Sequence, residues 1–434
     1  PETSGGLDTV AVRLPAHPAA QAVIDAAGVP LAAPSANLSG RPSPTTFEQV
    51  RADLTGRVDA LLDGGDCPVG VESTVITLAG ERPRGLRPGG VTVAQLQAVI
   101  GPVDLDPAVL HQLEEGQQAP SPGMKYKHYA PQAEIVLVDA SPEDYAGFVN
   151  KQGGWALCFD EDLPALTVPA ISLGPRYDGA TQARRLFRAL YELDKQGAKA
   201  AYARCPQKRG VGLAVYNRLI RAAGFRMVNP AGRLVVGLTG PTGAGKSTIS
   251  EILKQEGCTV IDCDALTRSP QVYNRGCIQE LQRAFGPDVA PNGVLNRREL
   301  ARRAFATEEG RKQLGAITFP RILAEVRRLL AAADAAGSAV TVLDAPTLFE
   351  AGLDSACARI LVVSAPEEAR VARIMARDGL TKGQALLRLA AQQGAGFYED
   401  RADYVMGNGP GTDPQAAAAA IAAQLKGEAA GKRL

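Results

Sequence analysis

The sequence predicts an α/β protein whose C-terminal part, residues 233–434, is built around a parallel sheet. Two observations carry this prediction. Strand-like apolar runs alternate with helix-like segments from Leu234 onward, which is typical of parallel strands joined by helices. The first of these strands, ending at Leu238, runs directly into a glycine-rich phosphate-binding motif, and Thr248 to Lys254 continues as a helix.

Two smaller α/β segments precede this sheet. The predicted elements are strands over residues 10–14, 69–78, 134–138 and 155–159, and helices over residues 19–27 and 180–196. The proline-rich residues 118–131 and the turn at 229–232 are predicted linkers, because proline disfavours helix. The predicted domains are therefore residues 1–117, 132–228 and 233–434.

The composition is that of a globular protein and argues against DNA-binding, zinc-binding and membrane proteins. Hydrophobic residues make up 45% and charged residues 21% of the 434 residues, as in soluble globular proteins. Because the net charge is only +1, the overall charge gives no indication of a polyanionic ligand, and direct DNA binding is not expected. Seven cysteines without a CxxC and three scattered histidines disfavour a zinc site. With no signal peptide and no apolar run of membrane-spanning length, the sequence predicts a cytoplasmic protein without membrane contact. Because the chain begins at Pro1 and not at Met, we expect a fragment of a longer reading frame.

The phosphate-binding motif has the form GxxxxGK[ST], and each part has a physical reason. The glycines let the backbone turn tightly so that successive N–H groups point at phosphate oxygens, and the helix N-terminus adds partial positive charge. We expect Lys246 to bridge the outer phosphates of ATP and Ser247 to hold Mg²⁺. The predicted ATP-binding residues of this loop are Gly240, Gly243, Ala244, Gly245, Lys246, Ser247 and Thr248.

Two acidic residues follow the next predicted strand, residues 259–261. Asp262 and Asp264 lie two positions apart, and on an extended chain both carboxylates would point to the same side. At the carboxyl end of a parallel strand they would face the ligand crevice. One could accept a proton from an attacking hydroxyl while the other orients it or supports Mg²⁺. A solvated turn with two acids is the alternative.

Two further strands are predicted at residues 340–343 and 360–363. Asp344 ends the first of them and matches the acid that binds Mg²⁺ through water. After the second, Arg373 and Arg377 lie four residues apart on one face of a helix. Over a triphosphate they would neutralise the charge that develops during transfer, and a solvated helix face is the alternative.

The C-terminal motifs, in their order, resemble the dephospho-CoA kinase family. The resemblance rests on GLTGPTGAGKST, VIDCDAL, DAPTLFEAGLD, RILVVSAPEEARVARIMARDGL and ADYVMGNG. It implies a P-loop kinase that uses ATP to phosphorylate the 3′-hydroxyl of dephospho-CoA, the final step of coenzyme A biosynthesis. It also implies that Asp264 is the general base, that Arg373 and Arg377 belong to a lid, and that Asn408 lies near the adenine or lid side. Residues 393–400 (QGAGFYED) depart from the usual basic stretch of the family.

Small polar residues, glycines and an arginine recur in the N-terminal part. PSANLSG, VESTV and LRPGG suit an anionic phosphate or acyl-adenylate, although turn formation explains most of them equally well. Together with SPGMKYKHYAP and GVGLAVYNRLIRAA they resemble the two-domain threonylcarbamoyl-AMP synthase family over residues 1–228. This implies a partial YrdC-like α/β domain, a linker whose residues 125–129 close over a nucleotide, and a small Rossmann-like α/β domain. By resemblance the nucleotide pocket is lined by Ser35, Asn37, Ser73 and Arg87.

The second resemblance implies a second chemistry. Such synthases join threonine, bicarbonate and ATP into threonylcarbamoyl-AMP for the t6A modification of tRNA, so tRNA-modification proteins are expected partners. The family's first stretch, with a basic cluster and threonine-binding residues, would precede Pro1, and we therefore expect this chain alone not to make the adenylate. Two alternatives stay open: the N-terminal half is a non-catalytic binding or structural module, or the kinase acts on another small metabolite or nucleotide.

Overall fold

The computed structural model describes residues 9–38, 41–110 and 131–430. Up to residue 228 the helices and strands are, in chain order, α1 (Pro18–Ala27), α2 (Phe47–Leu54), β1 (Val75–Thr77), β2 (Arg84–Arg87), α3 (Val93–Ile100), β3 (Asp104–Leu105), β4 (Glu134–Val138), α4 (Pro142–Gln152), β5 (Trp155–Cys158), β6 (Ala170–Ser172), α5 (Gly179–Lys195), β7 (Ala200–Arg204), α6 (Gly212–Ala222) and β8 (Met227–Val228). The segment 125–129, expected to close over a nucleotide, and all but the last residue of the predicted linker 118–131 lie outside the described residues.

The C-terminal part alternates strands and helices as its sequence predicts. Its elements are β9 (Leu234–Thr239), α7 (Lys246–Gln255), β10 (Thr259–Asp262), α8 (Cys263–Leu266), α9 (Arg275–Phe285), α10 (Arg297–Ala304), α11 (Glu308–Ala335), β11 (Val340–Asp344), β12 (Arg359–Ser364), α12 (Glu367–Asp378), α13 (Lys382–Ala390), α14 (Ala395–Glu399), β13 (Tyr404–Gly407) and α15 (Pro414–Ala430). Strands β9 to β13 form one sheet, which we call the C-terminal sheet, in the order β10-β11-β9-β12-β13. All its neighbouring strands are parallel, so the predicted parallel sheet is confirmed.

The C-terminal sheet is covered on both faces, which explains why its strands are continuous apolar runs. Strand β9 is buried along its whole length. Its residue Val235 packs in one apolar cluster with Ile322 of α11, and Val236 packs in the other with Leu425 of α15. Side chains alternate across a strand, so successive residues of β9 fill opposite cores.

A second five-stranded sheet, which we call the middle sheet, has the order β6-β5-β7-β4-β8. The pairs β5/β6, β5/β7 and β4/β8 are parallel. A short third sheet has the order β1-β2-β3. The fold is thus α/β throughout, in agreement with the fold class that the sequence predicts.

Two predicted strands of the N-terminal part need correction. Residues 10–14 form no strand, and Val12 and Leu14 are 91% and 90% exposed. A strand needs a hydrogen-bonded neighbour, and none of the strands in the described residues pairs with this segment. The predicted strand over residues 69–78 is reduced to β1. By contrast, the helix closed by Gly28 is confirmed, since Gly28 has φ +64° and its N–H donates to the Ile24 carbonyl.

Contacts divide the chain into two compact units. Unit 1 comprises Pro1–Ile135, Asp178–Lys199 and Gly210–Phe225. Unit 2 comprises Val136–Tyr177, Ala200–Arg209 and Arg226–Leu434. The C-terminal sheet and nearly all of the middle sheet therefore belong to unit 2, whereas α5 and α6 belong to unit 1. The predicted domain boundaries stay predictions. Among the residues of both units that the structure describes, no helix is long and apolar enough to cross a membrane.

A buried ion pair connects the two sheets of unit 2. Arg359, the first residue of β12, donates to both carboxylate oxygens of Asp139 at 2.6 Å and to Glu428 of α15 at 2.9 Å. The Arg359 side chain is only 6% exposed. Burial disfavours both charges, but Arg359 and Lys208 hold the pKa of Asp139 well below its usual range. The two sheets are thus joined by a buried ion pair in which each charge compensates the desolvation of the other.

We expect Asp139→Ala to lower the free energy of unfolding of unit 2 by about 3–5 kcal/mol, because it leaves Arg359 buried without its bidentate partner. The sequence has one tryptophan, Trp155 in β5, so tryptophan fluorescence during urea unfolding reports on this unit. The matched control is Glu143→Ala, which removes an exposed ion pair with Arg327 in the same unit and should cost about 1 kcal/mol or less. Equal losses for the two variants would contradict the expectation.

Candidate functional site

The predicted phosphate-binding loop connects β9 to α7 and is shaped by three glycines. Gly240, Gly243 and Gly245 have φ of +136°, +80° and +95°, values that residues with side chains rarely adopt. There is also no space for a side chain. A Cβ on Gly240 would lie 2.3 Å from the Val363 carbonyl oxygen, and one on Gly245 would lie 2.2 Å from Nδ2 of Asn408. Glycine is therefore required at these positions for two reasons: the positive φ values and the lack of space for a side chain.

Lys246 is the first residue of α7 and folds back over this loop. Its Nζ donates to the carbonyl oxygen of Gly240 at 2.6 Å and lies 3.4 Å from that of Pro241. Burial lowers the pKa of Lys246 to about 8, against the opposing attraction of Asp344. Because burial outweighs that attraction, the ammonium group lacks a full counter-charge here, and an arriving phosphate would supply one.

Three acidic residues lie at or just after the carboxyl edge of the C-terminal sheet. Asp262 at the end of β10 is the register partner of Asp344 at the end of β11, and Asp344 is in turn the partner of Leu238 in β9. Burial raises the pKa of Asp344, and the negative charges of Asp262 and Asp264 raise it further, while a hydrogen bond from Ser250 and the Lys246 charge oppose the shift. The sequence-predicted acids and lysine therefore interact at one edge of the sheet.

The backbone around the paired acids differs from the predicted extended chain. Asp262 ends β10 and caps α8, with Oδ1 accepting a hydrogen bond from the Ala265 N–H at 3.0 Å. Asp264 lies within α8, so strand alternation does not put the two side chains on one side, as we had expected. The Asp264 side chain is 61% exposed, with Arg268 at 3.8 Å. Asp264 thus remains open to a ligand, while Asp262 is engaged by its own helix.

Arg373 and Asn408 brace the loop from behind. Arg373 donates to the carbonyl oxygens of Gly243 at 3.1 Å, Ala244 at 3.0 Å and Asn408 at 2.7 Å. The Asn408 side chain, 8% exposed, donates to the Ala244 carbonyl at 2.8 Å. Both side chains therefore hold the backbone of the loop, and the lid and adenine-side roles that the resemblance implied stay predictions.

The arginines of α12 differ in what they contact: some bind the loop and one pairs with its neighbour instead. Arg377 is exposed and makes a bidentate pair with its neighbour Asp378, at 2.8 and 2.9 Å, without a hydrogen bond to the loop among those that the structure describes. Sequence reasoning missed Arg370, whose Nε donates to the Thr242 carbonyl of the loop at 3.0 Å. The signal was present, because positions 370, 373 and 377 share one helix face.

The residues predicted to bind Mg²⁺ have suitable chemistry. Ser247 offers an exposed hydroxyl in the first turn of α7, next to Thr248, and Asp344 offers a half-buried carboxylate. Within the described ranges no three or more histidine, cysteine or acidic side chains form a metal cluster. Two protein oxygens fit Mg²⁺ in particular, because this ion keeps several waters and takes other ligands from substrate phosphates.

In unit 1, a hydrogen bond connects two of the four predicted pocket residues. Arg87 donates from Nε to the carbonyl oxygen of Ser73 at 3.1 Å. The cavity beside Arg87 measures only about 10 Å³, room for about one water. Asn37 is held in a local turn by hydrogen bonds to the carbonyls of Leu38 and Arg41, and Ser35 is exposed.

A buried ion pair in unit 1 escaped the sequence analysis. Arg218 of α6 is completely buried and donates to Glu72 at 2.9 Å and to the Pro88 carbonyl at 2.7 Å. Ser43 donates to the other carboxylate oxygen of Glu72 at 2.8 Å. Burial opposes the charge of Glu72, but Arg218 and Ser43 lower its pKa. Glu72 in VESTV therefore fastens this segment to α6, and an arginine amid the apolar residues of GLAVYNRLIRAA was the available signal.

Three family patterns match successive parts of the chain. The family described as Telomere recombination matches residues 1–89, the Threonylcarbamoyl-AMP synthase, C-terminal domain matches residues 91–224, and Dephospho-CoA kinase matches residues 234–413.

Individual proteins show the same division. The chain is 43% identical over 234 residues to the threonylcarbamoyl-AMP synthase of Bacillus subtilis (strain 168), covering 52% of this chain and 67% of that protein. It is 39% identical over 194 residues to the dephospho-CoA kinase of Corynebacterium efficiens, covering 44% of this chain and 97% of that kinase. A crystal structure of P. abyssi Sua5 complexed with L-threonine has 39% identity and a TM-score of 0.45, covering 52% of this chain and 67% of that one.

We expect Gly245→Ala to weaken ATP binding at least tenfold, because the new Cβ would displace the Asn408 amide that braces the loop. Calorimetric titration with a non-hydrolysable ATP analogue measures this. The control is Gly379→Ala at the end of α12, where φ is also positive, at +65°, but no atom lies within 4 Å of the added Cβ. A similar affinity loss in both variants would show that backbone strain, and not the lost brace, is responsible.

Proposed function

Because the chain belongs to the dephospho-CoA kinase family in its C-terminal part and to the threonylcarbamoyl-AMP synthase family in the part before it, we propose that it joins the machinery of two ATP-dependent reactions, the second of which is incomplete in this chain. The first is phosphorylation of the 3′-hydroxyl of dephospho-CoA. The second, formation of threonylcarbamoyl-AMP from threonine, bicarbonate and ATP, belongs to the tRNA t6A route. A cytoplasmic location and contacts with tRNA-modification proteins stay predictions.

In the proposed kinase reaction, the loop from Gly240 to Ser247 holds the triphosphate of ATP. Its N–H groups and the start of α7 face the phosphates, and Lys246 exchanges its bond to the Gly240 carbonyl for the β- and γ-phosphates. Mg²⁺, held by Ser247 and through water by Asp344, would neutralise part of the phosphate charge. Arg373 and Asn408 keep the loop in its binding shape.

Asp264 is the proposed general base. Its exposed carboxylate accepts the proton of the acceptor 3′-hydroxyl, whose oxygen attacks the γ-phosphorus in line. The new P–O bond forms as the bond to the β-phosphate oxygen breaks, and ADP leaves. Asp262 keeps α8, and with it Asp264, at the edge of the sheet through its helix cap. The one observation that carries this proposal is the strand register, which puts Asp262 and Asp344 side by side at the edge of the sheet where β9 runs into the loop that ends at Lys246.

We expect Lys246→Ala to lower kcat about 100-fold or more, since a preorganised cation facing the developing charge is lost. Asp264→Asn should lower kcat about 100-fold with a smaller effect on the KM for ATP, since an amide cannot accept the proton. A coupled assay of ADP release with dephospho-CoA measures both. Asp288→Asn, which alters an exposed ion-paired aspartate, is the control. Near-normal turnover of Asp264→Asn would remove Asp264 from the role of base.

The acceptor is tested separately from the transfer machinery. The same assay is run with dephospho-CoA, AMP, shikimate or no acceptor. Turnover with dephospho-CoA alone supports the proposal, and turnover with a nucleoside monophosphate but not with dephospho-CoA favours the alternative kinase.

For the N-terminal part we propose that the threonylcarbamoyl-AMP chemistry needs more than unit 1 provides. The chain spans 67% of the length of the Bacillus synthase, so the activity of that whole protein is a proposal for this chain. Several apolar side chains of unit 1 are exposed, among them Val12 and Leu14, and the cavity beside Arg87 measures only about 10 Å³. These features support a nucleotide pocket that is incomplete in this chain.

We expect the 434-residue chain to release no pyrophosphate from ATP in response to threonine and bicarbonate. A pyrophosphatase-coupled phosphate assay checks this, with each of the two co-substrates omitted in turn. Release that requires both would contradict the expectation and would also exclude the alternative that this half is only a binding or structural module.

A further inference from the structure

Three aromatic side chains pack around Phe349, which lies in the loop that follows β11. Phe349 of this loop makes edge-to-face contacts with Phe397 of α14 at 5.6 Å and with Tyr177 at 5.9 Å between ring centroids. Tyr398 lies 6.4 Å from the same ring. Phe397 and Tyr398 belong to QGAGFYED, the stretch that departs from the usual kinase pattern. Edge-to-face pairs of this kind fix the relative orientation of the rings as well as burying them.

An arginine holds the group together. The Arg401 guanidinium lies 4.0 Å from the centroid of Phe397, 5.8 Å from that of Tyr177 and 5.9 Å from that of Phe349. It also donates to the Phe397 carbonyl at 2.9 Å. One cation therefore attracts three rings at once, and removal of any ring weakens the placement of the other two.

Tyr177 is the member of the group that comes from the part of unit 2 before the kinase region. It follows β6 of the middle sheet, and its hydroxyl donates to Asp354 Oδ2 at 2.9 Å. The preceding Arg176 is buried and donates to the carbonyl oxygens of Asp354 and Cys357, both at 2.9 Å. These two residues therefore contact the connection between β11 and β12 in its middle, at Phe349, and near its end, at Asp354 and Cys357.

This connection begins at the candidate site. Ala345, directly after Asp344, donates its N–H to the Leu238 carbonyl at 3.0 Å, so the loop starts beside the strand that leads into the phosphate-binding loop. Leu348 packs directly over Gly237 of the same strand. Pro346, Thr347 and Glu350 remain exposed at the carboxyl edge of the sheet, where parallel α/β sheets bind their ligands.

We propose that Tyr177 is a positioning residue for the kinase reaction: by packing on Phe349 and donating to Asp354, it fixes the loop of residues 345–350, whose exposed residues lie at the edge of the sheet where the phosphoryl acceptor would bind. The middle sheet, part of the synthase family's C-terminal domain, thereby completes the acceptor side of the neighbouring kinase. This inference rests on the proposed kinase function, and it concerns binding of the acceptor, not of ATP.

The test compares Tyr177→Ala and Tyr177→Phe in the full chain. We expect Tyr177→Ala to raise the KM for dephospho-CoA about five- to tenfold, while kcat and the KM for ATP change less than twofold. Tyr177→Phe keeps the ring and loses the bond to Asp354, so it should restore most of the acceptor affinity. Should Tyr177→Ala fail to fold, Tyr177→Leu, which retains bulk without the aromatic ring, carries the same comparison.

Arg327→Ala is the matched control. It breaks the exposed ion pair with Glu143, which also joins the α4 region to the kinase part of unit 2 but does not touch Phe349, and it should behave like the parent. An unchanged KM for dephospho-CoA in Tyr177→Ala would overturn the proposal. So would an equal loss in kcat and in both KM values, because that pattern indicates a merely structural role.

Hydrogen exchange separates failure of this inference from failure of the kinase assignment. Amides of residues 345–356 should exchange faster in Tyr177→Ala than in the parent and in Arg327→Ala, whatever the acceptor is. If the parent does not phosphorylate dephospho-CoA, the kinase proposal fails, and the exchange comparison still decides whether Tyr177 fixes the loop. Equal exchange in all three proteins would overturn the inference.

Discussion

The candidate site depends on one steric constraint: the predicted phosphate-binding loop is packed so closely that Gly240, Gly243 and Gly245 cannot carry a side chain. The space beside Gly240 is filled by the Val363 carbonyl, that beside Gly243 by the backbone of Arg370, and that beside Gly245 by the amide of Asn408. Backbone atoms of β12 and α12 and the side chain that follows β13 thus pack against the loop and fix its backbone conformation. The backbone conformation that the proposed phosphate site requires depends on this packing.

Much of this arrangement could be predicted from local sequence. The strand, loop and helix around Lys246 form a continuous segment whose pattern specifies its structure, and the acids at the ends of β10 and β11 follow from strand order in a parallel sheet. The prediction for Asp262 and Asp264 was wrong in its backbone because alternation assumes an extended chain. A capping aspartate begins a helix just where the strand ends.

Contacts between residues far apart in sequence could not be predicted in this way. Asp139 and Arg359 are separated by 220 positions, and Tyr177 and Phe349 by more than 170, so no local pattern connects them. Each is an ordinary charged or aromatic residue until the chain is folded. In unit 1, Glu72 lies in a motif that suggests ligand binding, but its carboxylate accepts hydrogen bonds from Arg218 and Ser43, and no local pattern predicts that pairing.

The ion pair between Asp139 and Arg359 has a consequence for any division of the chain. Asp139 lies in the region that matches the synthase family, and Arg359 lies in the region that matches the kinase family. If the two regions were separate proteins, Arg359 would keep Glu428 and Asp139 would keep Lys208, but both would lose the bidentate pair. Division of the chain between the two regions would therefore leave two buried charges with weaker compensation at once.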